Sequence, residues 1–210
     1  MNIHTIFNII LPPFRRRRMR EFVKTFAPTS KTNILDVGGS SLNWKLIDIK
    51  SQITLLNLSL PQNIESEPDC FKFVIGNGLD LKYADSEFDI CYSNSVIEHV
   101  GSFEDQRKFA SEVRRVGKKI WTQTPARSFF FEPHLLTPFI HFLPKNIQQK
   151  LLRNFTIWGL LTRPDKDKVE QFLAEIRLLS YDEMKTLFPD CEIRKEKFLF
   201  FTKAFVAVRK

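Results

Sequence analysis

Three groups of residues in this chain have the types and spacing that chemistry needs. The first is Asp36-Val37-Gly38-Gly39-Ser40, which follows the apolar pair Ile34-Leu35. A carboxylate at the end of a buried strand, followed by glycines that let the backbone come close, presents a ligand site at the carboxyl edge of an open α/β sheet. The dinucleotide fingerprint needs glycines at its first, third and sixth positions. The six residues from Gly38 read Gly-Gly-Ser-Ser-Leu-Asn, so only the first position is met. Asp36 can organise the turn amides or accept bonds from the ammonium group of a zwitterionic amino-acid tail. It can also simply satisfy backbone donors in an ordinary strand-to-helix turn. The other two groups are Glu98-His99 and Glu132-Pro133-His134. An unperturbed imidazole titrates near roughly 6.5, so His99 and His134 are able to take a proton near neutral pH. Both can equally be structural, with His99 bonded to Glu98 or a backbone carbonyl and Glu132 capping the start of a helix.

The 210 residues suffice for one well-cored domain, and 43% hydrophobic with 27% charged content is that of a soluble globular protein. The 21 Phe indicate a large aromatic core or an apolar pocket. Cys70, Cys91 and Cys191 are odd in number and lack Cys-x-x-Cys spacing, so neither a disulfide framework nor a zinc site is expected, and a reducing, intracellular setting is. Of the net charge of +8, residues 1–30 hold +5, from six Arg or Lys against Glu21, which leaves +3 for the other 180 residues. That distribution argues against a broad nucleic-acid face. Residues 1–30 read as a basic amphipathic arm, an apolar stretch from Ile3 to Leu11 followed by Pro12-Pro13-Phe14 and four arginines. A secretory signal has its charge before the apolar region rather than after it, and the stretch is about half the roughly 20 residues needed to span a bilayer. Two readings stay open. In one, Ile3, Ile6, Phe7, Ile9 and Ile10 enter lipid while the arginines meet anionic head groups, a peripheral contact through residues 1–20. In the other, the arm is a helix packed on the domain.

The elements that must position these groups alternate in one series, which predicts a single α/β domain over residues 31–210. Strands are expected at 33–37, 53–57, 71–75, 88–92 and 117–123. A helix runs from Phe103 to Val116 with Phe109, Val113 and Val116 inward, and Gly117 ends it. Prolines and phenylalanines then mark a cap-like insertion at about 125–178, with helices near 146–161 and 167–178. Phe129, Phe130 and Phe131 would form an apolar lid there or pack the cap onto the sheet. A helix from Tyr181 to Phe188 and two strands, 192–199 and 203–209, close the chain as an antiparallel hairpin.

In order and spacing these segments resemble the class I S-adenosylmethionine-dependent methyltransferases, over residues 31–125 and the closing hairpin. Ile34-Leu35-Asp36-Val37-Gly38-Gly39 is similar to the family's first motif, with Ser40 where a further glycine is common. Gln52 to Asn57 resembles the second strand, whose terminal acid binds both ribose hydroxyls. Asn57, with Leu58 after it, can accept there through its carbonyl oxygen but without the charge. Gly76-Asn77-Gly78-Leu79 resembles the family's Gly-Asp-Ala stretch, Asn77 accepting from the adenine amino group. Phe88 to Val100, which includes Asn94 and Glu98-His99-Val100, is similar to the fourth strand and turn of the subgroup acting on small molecules. Thr124 to His134 resembles a segment of methyltransferases in glycan and lipid-linked saccharide pathways.

The resemblance implies a Rossmann-like, mostly parallel seven-stranded sheet with an antiparallel C-terminal hairpin. It also implies S-adenosyl-L-methionine as cofactor, at Asp36, Gly38, Gly39, Ser40, Asn57, Leu58, Asn77, Gly78, Leu79 and Asn94. The reaction would be methyl transfer to a small-molecule acceptor such as a sugar or lipid-linked saccharide, in the cytoplasm or peripherally at the inner membrane face. In-line displacement from a sulfonium requires positioning and water exclusion, not a covalent intermediate. A hydroxyl acceptor also needs a base, for which His99, His134 and Glu132 are the candidates. Arg127 could meet a phosphate or carboxylate on the acceptor or sit solvated in its loop. Relatives in quinone pathways hold a divalent ion with Glu-x-x-Glu-His, but Ser95 stands at the first Glu, so no metal is expected. The alternatives are a nicotinamide-dependent oxidoreductase and a non-catalytic membrane-associated module on the same fold.

Overall fold

The computed structural model describes residues 12–61, 64–132 and 134–210. The five apolar arm positions assigned above to lipid, Ile3 to Ile10, lie outside these residues. A central sheet holds seven strands in the order β3-β2-β1-β4-β5-β9-β8. These are β1 (Asn33–Val37), β2 (Gln52–Asn57), β3 (Phe71–Ile75), β4 (Phe88–Asn94), β5 (Gly117–Pro125), β8 (Glu192–Phe198) and β9 (Phe201–Arg209). β1 to β5 are mutually parallel, while β9 runs antiparallel to both β5 and β8. The Rossmann-like sheet with its antiparallel closing hairpin is therefore the observed architecture.

The inner strands are apolar on both faces because both faces are covered. Leu35, Val37, Cys91 and Ile120 pack beneath α3 (Phe103–Val116) and α7 (Tyr181–Leu187), against Phe109, Val113 and Met184. Ile34, Ile53, Ile90, Tyr92 and Trp121 pack on the other face against α1 (Pro12–Phe26) and the single turn α2 (Ser41–Trp44). α1 supplies Met19, Phe22 and Phe26, all buried, so for residues 12–26 the packed helix is what the structure shows. The Phe22 ring meets Phe26, Trp44, Tyr92 and Trp121 at centroid distances of 5.3, 5.5, 5.3 and 5.8 Å. Part of the phenylalanine excess is thus an aromatic core. Phe22→Ala should destabilise the protein by about 3–5 kcal/mol in chemical denaturation, the usual effect of emptying a filled aromatic site.

α3 starts on a capping box between Ser102 and Asp105 and, as expected, ends at Gly117, which is extended at φ −98° and opens β5. Glycine is needed there because a Cβ would lie 2.5 Å from that of Cys91 on the neighbouring strand. Two sequence expectations, both in the cap, need correction. The helix expected near 146–161 is two, α4 (Lys145–Phe155) and α5 (Ile157–Thr162). Thr156 separates them: it is extended, its hydroxyl accepts from Gly159 N at 2.9 Å and donates to Leu152 O at 2.6 Å. With α6 (Lys166–Glu175) and the short hairpin β6 (Phe131–Glu132) and β7 (Thr137–Pro138), they build the cap around Leu135, Ile140, Leu152 and Val169. Residues after α6 are extended rather than helical, and Arg177 N donates to Glu98 O at 2.8 Å, pinning the cap to the turn after β4.

Candidate active site

β1 lies between β2 and β4, the point where the strand order reverses and where open α/β sheets hold ligands at their carboxyl edge. Asp36 sits there, fully buried, with Oδ2 accepting from Trp44 Nε1 at 2.7 Å and Oδ1 without a partner among the described residues. Burial pushes its pKa up to about 7, against the opposing effect of the Trp44 bond. Gly39 folds over this carboxylate so closely that a Cβ would lie 1.8 Å from Oδ2. Gly38 adopts φ +77° and donates from N to Leu56 O at 2.7 Å. Ser40 precedes α2 in extended conformation and makes no side-chain cap bond. The Asn57 amide donates to Gly39 O at 2.9 Å, which ties the end of β2 to the turn. Accepting from a ligand, the role expected of Asn57, therefore falls to its other side-chain atom. Leu58 stands 78% exposed just beyond it.

At the next edge Asn77 Oδ1 accepts from Leu79 N at 3.0 Å and closes a tight turn through Gly78 to Asp80. A bond from an adenine amino group would be the second on that oxygen. Asn94 has a different partner from the one expected: its Oδ1 accepts from Arg18 Nη1 at 2.5 Å, and Arg18 pairs on its other side with Glu196. Arg18 reads in the sequence as one member of a charge run, so nothing there marks it as the residue that locks α1 to β4. Trp44 was missed for a similar reason, since only the fold brings an indole eight residues downstream back onto Asp36.

The structure brings the three catalytic candidates together. Glu132 is buried, accepting from His134 Nδ1 at 2.7 Å and from Leu135 N at 2.6 Å. The second bond satisfies a turn rather than a helix start. Because a carboxylate only accepts, His134 Nδ1 carries the proton and its Nε2 is left as the basic nitrogen. Burial alone would lower the His134 pKa, but the bond to Glu132 and the charges of Glu132 and Glu98 outweigh it and raise the pKa. The His99 ring lies edge-on to that of His134 at 4.9 Å, and burial together with His134 pulls its pKa down to about 4. Glu98, which the sequence offered only as a neighbour of His99, is fully buried, accepts from Thr124 Oγ1 at 2.9 Å and leaves Oε1 unpartnered among the described residues. Its pKa rises to about 7, chiefly through burial. One nitrogen or oxygen each of Glu98, His99 and His134 lies within 4.8 Å of the others, close enough to exchange protons through a ligand or a water, or to share a cation.

A cavity of about 600 Å³ opens beside this group, between the start of α3 and the cap, lined among others by Arg127, Glu132, His141, Lys145, Phe172 and Arg177. Arg127 is exposed at its rim. His141, which no sequence pattern marked, lines the cavity wall and donates from Nε2 to Arg127 O at 3.1 Å. Phe129 is buried and Phe130 and Phe131 are partly so, which makes this triplet packing for the cap more than a free lid.

The sequence model of the methyltransferase domain family matches residues 35–119. Among solved structures, YcgJ of Bacillus subtilis is 15% identical with a TM-score of 0.55, over 88% of this chain and 70% of that one. A chain of the complex between the Trm112 methyltransferase activator and a methyltransferase of Haloferax volcanii is 10% identical with a TM-score of 0.57, over 94% and 90%. Phosphoethanolamine N-methyltransferase 2 of Haemonchus contortus, in complex with S-adenosyl-L-methionine, is 13% identical with a TM-score of 0.56, over 88% and 39%. At such identities the likeness is one of fold. The matched segment spans β1 to the start of β5, and with it the switch point, the Asp36 turn and the Glu98-His99 turn. Over residues 35–119 this chain therefore resembles the methyltransferase domain family, and its fold is shared with methyltransferase structures, one of them solved with S-adenosyl-L-methionine bound.

Proposed function

We propose that the protein methylates a hydroxyl group of a saccharide, carried on a lipid, that enters the cavity beside the cap. The observation that carries this reading is the Glu132–His134 pair, in which Glu132, a buried carboxylate that lines the cavity, orients an imidazole whose other nitrogen can take a proton. An amine acceptor would already offer a lone pair once deprotonated; a hydroxyl needs its proton removed as the new bond forms. The cavity wall suits a saccharide, since Phe172 offers an apolar face while Arg127 and Lys145 offer polar contacts.

The residues around β1 fit the cofactor. Asp36 Oδ1 is an orphaned buried acceptor that an ammonium group would satisfy, and the Gly38-Gly39 turn admits no side chain at its tightest point. Asn57, Asn77 and Leu58 would line the ribose and adenine side. When bound, the cofactor supplies a methyl group on a sulfonium, which leaves as a neutral thioether. His134 then holds the acceptor's proton at Nε2, and Glu132 stabilises the imidazolium that results. His99 stays neutral and packs against the base, and Glu98 with Thr124 closes the site from beneath.

The test offers labelled S-adenosylmethionine with three acceptors: a polyprenyl-linked saccharide, the same saccharide free, and phosphoethanolamine. Label in the lipid-linked saccharide, at a rate unchanged by a chelator, is the expected result. Transfer to the amine alone would overturn the hydroxyl reading.

A further inference from the structure

We infer that the tip of the β8–β9 hairpin, together with the exposed arginines of α1, is a docking surface for an anionic lipid bilayer. Four consecutive apolar residues form the tip, and the two at the turn are the most open, Leu199 at 74% and Phe200 at 94% exposure. The fold does not ask for them. A two-residue turn between antiparallel strands favours Asn, Asp or Gly, since it needs positive φ. Leu199 nevertheless adopts φ +53° here. A branched side chain is held in the left-handed region, next to a phenylalanine in water, where polar residues would fold better. The selective gain therefore lies outside folding, in something the two side chains enter.

Charge says what that is. The tip touches the start of α1 through Phe14, whose ring lies 5.8 Å from that of Phe198. From there α1 turns Arg16, Arg17 and Arg20 to solvent, and none of them makes an ion pair among the described residues. Lys197 is exposed on the hairpin itself, while Glu196, the nearby acid, is taken up by Arg18. An apolar tip beside a helix of uncompensated cations matches an anionic interface, where apolar side chains enter the acyl boundary and basic residues meet the head groups. A protein partner burying the tip would leave these charges unanswered unless it were itself acidic. The surface also meets the cap, because Phe201 contacts Phe130 at 5.0 Å in the loop leading to Glu132 and His134. Docking does not depend on the acceptor being lipid-linked.

Co-sedimentation of the full chain with phosphatidylcholine vesicles, with and without phosphatidylglycerol, tests this. The expected result is binding at least about tenfold tighter with phosphatidylglycerol, weakened by salt. Leu199→Ser with Phe200→Ser should lower that affinity about tenfold or more. Its melting temperature and cofactor binding should be unchanged, since both side chains are exposed. Arg16→Glu with Arg17→Glu should remove most of the salt dependence. Wild-type protein that stays in the supernatant, or a tip variant that pellets like wild type, would overturn the inference. So would light scattering showing a dimer that the tip variant disperses, which would assign the surface to a second copy. Methyl transfer to a detergent-dispersed acceptor should be the same in the tip variant, so failure of the docking surface and failure of the proposed reaction are read separately.

Discussion

Changing Asp36 to asparagine is expected to weaken S-adenosylmethionine binding about ten- to hundredfold above pH 7 while making the unliganded protein more stable there. Both effects come from one buried charge. The folded protein holds the Asp36 proton up to about pH 7, whereas an unperturbed aspartate releases it near 3.8. The stability that the protonated form contributes is complete below about pH 4 and is lost as pH rises through 7, by at most about 4 kcal/mol. Asparagine keeps an acceptor for Trp44 Nε1 and carries no charge, so the loss disappears. The same substitution removes the carboxylate that a bound ammonium group would use. In the wild type, cofactor affinity should rise with pH and level off above 7, and binding near pH 6 should release a proton. Calorimetry in two buffers of different protonation enthalpy measures that release, and urea titrations at pH 5 and 8 measure the stability. An Asp36→Asn protein that binds cofactor as tightly as wild type would remove Asp36 from the site.

The second large effect is expected on turnover. His134→Ala should lower kcat by about 10²–10⁴-fold, the range for loss of a positioned base, with cofactor affinity within about twofold. Glu132→Gln separates positioning from packing. Glutamine can still accept from Leu135 N, but its amide then donates to His134 Nδ1 and forces the proton onto Nε2, the nitrogen that must be free. Because only the neutral imidazole acts as base, kcat/KM should rise with pH along a limb whose midpoint lies above the ordinary histidine value of 6.5. In Glu132→Gln the limb should move down, since the carboxylate that raises the His134 pKa is gone, while the plateau falls. Single-turnover rates across pH give both readings. A variant with wild-type plateau and midpoint would leave Glu132 as a turn cap alone.

Much of the sheet was legible in the residues because local and global preferences agree. β1 and β3 have the bounds their apolar runs indicate, and α3 carries its own start signal in Ser102 and Asp105 beside a regular apolar stripe. The cap was legible only as a region. Its helices break at Thr156, where a side chain competes with the backbone for Leu152 O, an event that periodicity does not register. The hairpin turn, expected between residues 199 and 203, lies at Leu199-Phe200, inside the apolar run Phe198-Leu199-Phe200-Phe201. A turn built from apolar residues has no turn signal to find.

For the site, sequence alone determined the Asp36-Val37-Gly38-Gly39 turn and the two Glu/His pairs, because their chemistry lies in residue type and short spacing. Tertiary structure alone decided what those groups do to one another. Residues 98, 99, 132 and 134 become one cluster only when the cap folds back onto the turn after β4, with Arg177 N bonded to Glu98 O. Asp36 acquires its raised pKa only when the folded chain buries it completely, against the opposing effect of the Trp44 bond. Burial and long-range contact set these properties, and neither is a property of neighbours along the chain.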